Sequence, residues 1–378
     1  MNQIDIHSLE ICTFTGASAP VEIAARLLAD WLSQRSGIHL QLRRAEEPGQ
    51  AAFRILLGAL DEPGMQAQVE RYGLPRAIRG DGYRISRQAQ ELLVYSQEPR
   101  GVVYACGYEL PRRLTLQGQS LILDFDAILE EPSDALRGWS SWGRDPEFLP
   151  HAATRYRLNL IWLETHASAE VFLPGETALQ PYISPHREEI RQNQAETEAA
   201  LVLAKAYGLQ VFIGGLNSIW VLPSYLMQSL VEVYPQAVAR SYMGGSEWPP
   251  YEWQDRPNLC PSNPHTRRIY TALVDEFLTA HPQADGICMG FGYDGYPLGC
   301  GCAACRGYSY SQRFRDQAMW VYDVAVKKHG KMLWLWTWVV GGASAIPGYD
   351  RYFGWVKPFA EANPEHVLVS SFATEGDF

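Results

Sequence analysis

The chain has 378 residues, 47% of them hydrophobic and 20% charged, with a formal net charge of −10. That length suits two domains, and the hydrophobic content supports a large core and excludes a disordered chain. The negative charge excludes a nucleic-acid surface, because phosphate binding needs clustered Lys and Arg. No uncharged apolar run is long enough to span a bilayer, so no membrane partner is expected. The first ten residues carry Asp5, His7 and Glu10 where a leader would be basic and then apolar. Seven cysteines, an odd number, suit a reducing compartment. A cytoplasmic location is the expectation, although a secreted chain trimmed of its leader would look the same. Twelve Trp and 20 Tyr fit either sugar-stacking rings or a large aromatic core.

Residues 1–130 read as a small α/β domain. Residues 7–14 alternate as a strand. Pro20 then opens a helix with Ile23, Leu27, Leu28, Trp31 and Leu32 at helical spacing, and Gly37 ends it. Strands follow at 38–42 and 53–57. Gly82-Tyr83-Arg84-Ile85 starts another, residues 91–95 the next, and Pro99-Arg100-Gly101 leads into a helix ending near Leu114. Arg100-Gly101 could face a phosphate, but a strand-to-helix turn that requires glycine is the plainer account.

An acidic link, Glu130-Glu131-Pro132-Ser133-Asp134, precedes a change of period. From 136 to 378 short apolar strands alternate with long amphipathic helices, the pattern of a parallel α/β architecture. Strands are predicted over 137–142, 158–163, 209–213, 286–289, 332–339 and 367–372, with helices over 185–207 and 261–280. A (β/α)₈ TIM-type barrel needs two more strands, so a barrel truncated after about six, as in a fragment of a longer protein, is the expectation.

In 1–130 the order of elements and the runs GYRI, LLVYS and RGVVYACGYEL resemble the α/β domain that precedes the barrel in family 20 β-N-acetylhexosaminidases and family 67 α-glucuronidases. LRGWSSWGR, RLNLIWLETH, AYGLQVFIGG and ADGICMGFGYDG are similar to strand-to-loop positions of the same barrels. The resemblance implies a catalytic-like barrel at 136–378 that cleaves O-glycosidic bonds of a carbohydrate substrate and needs no cofactor for catalysis. Family 20 enzymes carry an adjacent Asp-Glu pair after the fourth strand, the Glu being the general acid. Here Asp294 is followed by Gly295. LCPSNP and CGCAAC look nearer an uncharacterised cysteine-containing branch related to the α-glucuronidases, which implies a uronic-acid-bearing plant glycan.

Glycoside hydrolysis uses two carboxyl groups across the scissile bond. At predicted strand ends the catalytic candidates are Glu164, Asp294 and Glu375. Each has a plainer role: Glu164 as partner to an Arg or loop amide, Asp294 as the turn residue of Asp-Gly, Glu375 as a frayed terminal residue. The connection 216–261 is too long for a plain barrel loop. It holds Trp220, Tyr242, Trp248 and Trp253, candidate sugar-stacking rings together with Tyr293 and with Trp336 of the fifth strand; packing as a local core is the alternative.

Cys260, Cys300, Cys302 and Cys305 supply four thiols that the loops could bring together. Cys302-x-x-Cys305 has the spacing of a structural zinc site, and Cys300-x-Cys302 is unusually tight. Zinc, disulfides and free thiols all remain open from spacing alone. Two other functions stand beside hydrolysis: a non-catalytic carbohydrate-binding barrel, as Gly295 hints, and a metal-dependent enzyme built on the cysteines.

Overall fold

The computed structural model describes residues 2–47, 49, 51–141, 146–163, 178, 180–214, 232–238, 259–291, 300, 302–307, 310–339 and 354–373. Two compact units divide the chain. Met1–Ser140, Asp145–Ile161 and Val202–Gln210 form one; Ser141–Arg144, Trp162–Leu201 and Val211–Phe378 form the other.

In the first unit, β1 (Asn2–Asp5), β2 (Leu9–Thr13), β3 (Leu42–Arg44), β4 (Phe53–Ala59), β5 (Tyr83–Arg87), β6 (Glu91–Ser96), β7 (Thr115–Gln117), β8 (Ser120–Leu123) and β9 (Ala127–Glu130) build two sheets. Their orders are β3-β2-β4-β6-β5-β9 and β1-β8-β7. Strands β2, β3, β4 and β6 are parallel, whereas β5 pairs antiparallel with β6 and β9. Helices α1 (Ala19–Ser36), α2 (Pro63–Arg71) and α3 (Pro99–Tyr104) cover this sheet. The row Cys12, Leu56, Leu93 packs with Met65 and Val69 of α2. Neighbouring residues Ile11, Ile55 and Leu92 point the opposite way, and α1 and α3 pack on these same strands. Burial on both faces explains why β6 reads as a continuous apolar run and not an alternating one. Leu28 and Leu32 of α1 are fully buried, each contributing about 1.5–3 kcal/mol.

Two sequence expectations shift here. The strand predicted at 38–42 begins only at Leu42, because the Ser36 and Ser33 hydroxyls accept from the amides of Ile38 and Leu40. The strand predicted at 7–14 is preceded by a turn, Ile6–Ser8, where the Asp5 carboxylate accepts from His7 N. The helix after β6 continues from α3 through a π-helical stretch (Ala105–Glu109) into α4 (Leu110–Arg113). Its Arg100-Gly101 entry is structural. A side chain at Gly101 would meet the Gly82 carbonyl at 2.6 Å, and Arg100 is paired with Asp81 and Glu98.

Helix α5 (Phe148–Thr154) follows β10 (Gly138–Ser141). Then β11 (Leu160–Leu163), β12 (Gln210–Gly214), β13 (Gly286–Phe291), β14 (Met332–Val339) and β15 (Val367–Ala373) complete a second six-stranded sheet, whose spatial order from β10 to β15 is the sequence order. The pairs β12–β13, β13–β14 and β14–β15 are parallel. Helices α6 (Arg187–Ala206), α7 (Pro264–Ala280), α8 (Tyr310–Tyr322) and α9 (Val356–Glu361) lie between strands. Sequence-ordered strands joined through helices are the pattern of a β/α barrel, here with six strands among the described residues. Asp285 staples the amino ends: its side chain accepts from Val211 N (2.6 Å) and its carbonyl from Met332 N (2.9 Å). Among the described residues no helix is long and apolar enough to cross a membrane.

Candidate functional site

Parallel β/α sheets carry their chemistry at the carboxyl ends of the strands. Those ends here are Ser141, Leu163, Gly214, Phe291, Val339 and Ala373. Glu164 follows β11 directly, Asp294 comes three residues after β13, and Glu375 two residues after β15. All three carboxylates lie outside the described residues, as do Trp220, Tyr242, Trp248, Trp253 and Tyr293. Trp336 lies within β14, paired with Gly290 and Ser370, but its side chain is outside the described set.

The strands leading to this edge are held from within. Phe212 of β12 and Trp334 of β14 meet edge to face, with ring centroids 5.6 Å apart, so the buried Trp334 is a core residue. The contact crosses β13 at Gly286, where a side chain would lie 2.7 Å from the Phe212 ring and 2.2 Å from the Met332 carbonyl oxygen. Trp162 of β11 is buried and donates its indole N–H to the Gly214 carbonyl at the end of β12. Sequence reasoning missed this tie, since nothing in the spacing of 162 and 214 announces it.

The cysteines are brought together. Cys260 lies just before α7, whose N-cap Asn263 accepts from His265 N at 2.9 Å. Cys300, Cys302 and Cys305 come from the turn between β13 and α8. Their four sulfurs lie within 4.8 Å of one another. Cys260 Sγ is 3.8 Å from Cys302 Sγ and 3.6 Å from Cys305 Sγ. Cys260, Cys300 and Cys305 are buried, and Cys302 is half-buried. The Ser262 hydroxyl sits 3.0 Å from Cys305 Sγ. The Cys260 carbonyl accepts from Asn263 N (3.0 Å) and from the Thr266 hydroxyl (2.7 Å). Burial, reinforced by hydrogen bonding to Cys300, pushes the Cys260 thiol well up, and burial also raises Cys305. Cys302 is lowered to about 7, chiefly by a hydrogen bond from the Cys305 backbone.

No protein-family model matches the chain, and no curated protein matches it. Solved structures do. A chitobiase of Flavobacterium johnsoniae superposes with a TM-score of 0.62 at 14% identity, over 98% of this chain and 57% of its own. A GH20 exo-β-N-acetylglucosaminidase of Vibrio harveyi, solved with N-acetylglucosamine, gives 0.57 at 11% identity over 90% and 55%. A GH138 enzyme targeting pectin rhamnogalacturonan II gives 0.57 at 12% identity over 96% and 38%.

The fold is that of the GH20 hexosaminidases.

The chain spans just over half the length of the first two of these proteins. The hexosaminidase side of the sequence resemblance therefore has a counterpart in the fold. Its α-glucuronidase side and its cysteine-containing branch rest on the sequence alone.

Proposed function

We propose that this chain is a glycoside hydrolase-like protein acting on the O-glycosidic bonds of a carbohydrate. The observation that carries the reading is the position of β13, inside a sequence-ordered sheet of hexosaminidase-like fold and ending three residues before Asp294. Asp294 is the acid or positioning group, and Glu164 or Glu375 is its partner. Strand β13 lies two places from β11 on one side and from β15 on the other. At about 4.8 Å per strand the carboxylate-bearing exits are roughly 10 Å apart at backbone level. Side chains leaning inward can close that to the separations of roughly 5 to 9.5 Å used by glycosidases. Trp220, Tyr242, Trp248, Trp253, Tyr293 and Trp336 are the proposed stacking rings. The narrower version, an α-glucuronidase-like activity on plant glycans, has only the sequence resemblance behind it.

Gly295, in the place of the family 20 acid, favours a second reading in which the barrel binds carbohydrate without cleaving it. A panel of aryl glycosides that includes N-acetylglucosaminides and glucuronides, assayed with the full chain beside glycan binding, separates the two. Turnover of any member supports hydrolysis. Binding without turnover supports the second reading, and neither turnover nor binding overturns both.

A further inference from the structure

We propose that Cys260, Cys300, Cys302 and Cys305 hold one structural zinc ion that clamps the segment after β13 to the start of α7. A Zn–S bond of about 2.3 Å in a tetrahedron puts neighbouring sulfurs about 3.8 Å apart. The measured separations from Cys260, 3.8 Å to Cys302 and 3.6 Å to Cys305, match that edge. A disulfide needs about 2.05 Å between sulfurs. All four sulfurs fall within one sphere of contact, none farther than 4.8 Å from another.

The donor set also selects the kind of site. Four protein thiolates complete a tetrahedron and leave no position for water or substrate, which is the composition of a structural site and not a catalytic one. Burial of three of the four cysteines agrees with this. The surroundings fix the ligands before metal arrives. The Ser262 hydroxyl lies 3.0 Å from Cys305 Sγ, within reach to donate to its thiolate. Cys305 N donates to the Cys302 carbonyl at 3.0 Å, and the Cys260 carbonyl is held by the N-cap Asn263 N and by the Thr266 hydroxyl of α7. Such outer contacts orient ligands and raise metal affinity. Ligation takes thiolates, so binding releases the thiol protons to solvent. The consequence for the chain is mechanical. The ion ties the turn that carries Cys300, Cys302 and Cys305 to the residues just ahead of α7.

The test is metal analysis of the full chain purified with reductant and without chelator. About one zinc per chain, surviving dialysis, is expected. Cys302→Ser and Cys305→Ser should each lose most of it, while Cys106→Ala, outside the cluster, retains it. If the serine variants do not fold, wild-type protein stripped with a mercurial and refilled with Co²⁺ should show the absorption of a four-thiolate tetrahedral site, and added zinc should erase it. Zinc well below one per chain with all cluster thiols alkylated in the native protein would overturn the proposal. So would a loss of two hydrogens per disulfide in the unreduced mass, or iron in place of zinc.

Discussion

Phe212 and Trp334 touch across a strand that lies between them, edge to face at 5.6 Å and 76°. The contact exists because β13 presents Gly286 in the row of Phe212 and Met332. It fastens three neighbouring strands of the sheet whose carboxyl ends lead to the proposed site.

Gly286→Ala should therefore destabilise the protein by about 2–3 kcal/mol, in the upper part of the range for overpacked cores. The added methyl meets a backbone carbonyl at 2.2 Å, which cannot move aside as a side chain can. Urea unfolding of the two proteins checks this. A loss under about 0.5 kcal/mol would show that the strands separate freely at this point.

In the first unit, Asp81 is buried and accepts from Arg137 Nη2 (2.7 Å), Asn159 Nδ2 (3.1 Å) and the Tyr104 hydroxyl (3.2 Å), with Arg100 Nε at 3.2 Å. Arg137 and Asn159 immediately precede β10 and β11. Removing the carboxylate leaves the largely buried Arg137 guanidinium without its counter-charge and Arg100 with Glu98 alone, a loss of about 3–5 kcal/mol. Asp81→Ala should fall in that range by denaturant melts. Asp81→Asn should fall below it, since the amide keeps an acceptor for Tyr104.

Asp275 of α7 is 2.6 Å from Lys328 Nζ and 2.7 Å from His329 Nε2. Burial pushes its carboxyl up, but hydrogen bonds from Lys328 and His329 outweigh that and hold it below the ordinary Asp value. A lowered folded-state pKa adds stability that is present above the unfolded value and lost as pH falls through the folded one. Asp275→Asn should therefore lower Tm at pH 7, and the gap should close on acidification below the ordinary Asp range. The carboxylate is more than a third exposed, so the effect is modest and shrinks in salt. A Tm gap that stays constant down to low pH would contradict the ion-pair account.

The parallel strands β4, β6 and β12 were legible in sequence because each is a short, largely apolar run buried on both faces. The N-cap and first proline of α7 announced its start, which falls at Pro264 and not at the predicted 261. The pieces β1, β7, β8 and β9 were not legible. They are three or four residues long, and β7 and β9 are largely exposed, so no periodic signal builds up. Of the site, cysteine spacing suggested a convergence of four thiols. What the spacing could not give is the distance between sulfurs, 3.8 and 3.6 Å from Cys260 to Cys302 and Cys305, which is too long for a disulfide. The carboxylates could be located only by strand ends, because the sequence that carries them past those ends has no repeating pattern.

The proposed hydrolysis depends on Asp294. The most direct measurement is kcat/KM of wild-type and Asp294→Asn full chains on the best substrate of the glycoside panel, with unfolding curves to confirm equal folding. Loss of a group acting on the proton in flight costs roughly 10²–10⁴-fold, so a drop of at least about a hundredfold is predicted. Rates within about threefold of each other would contradict the assignment.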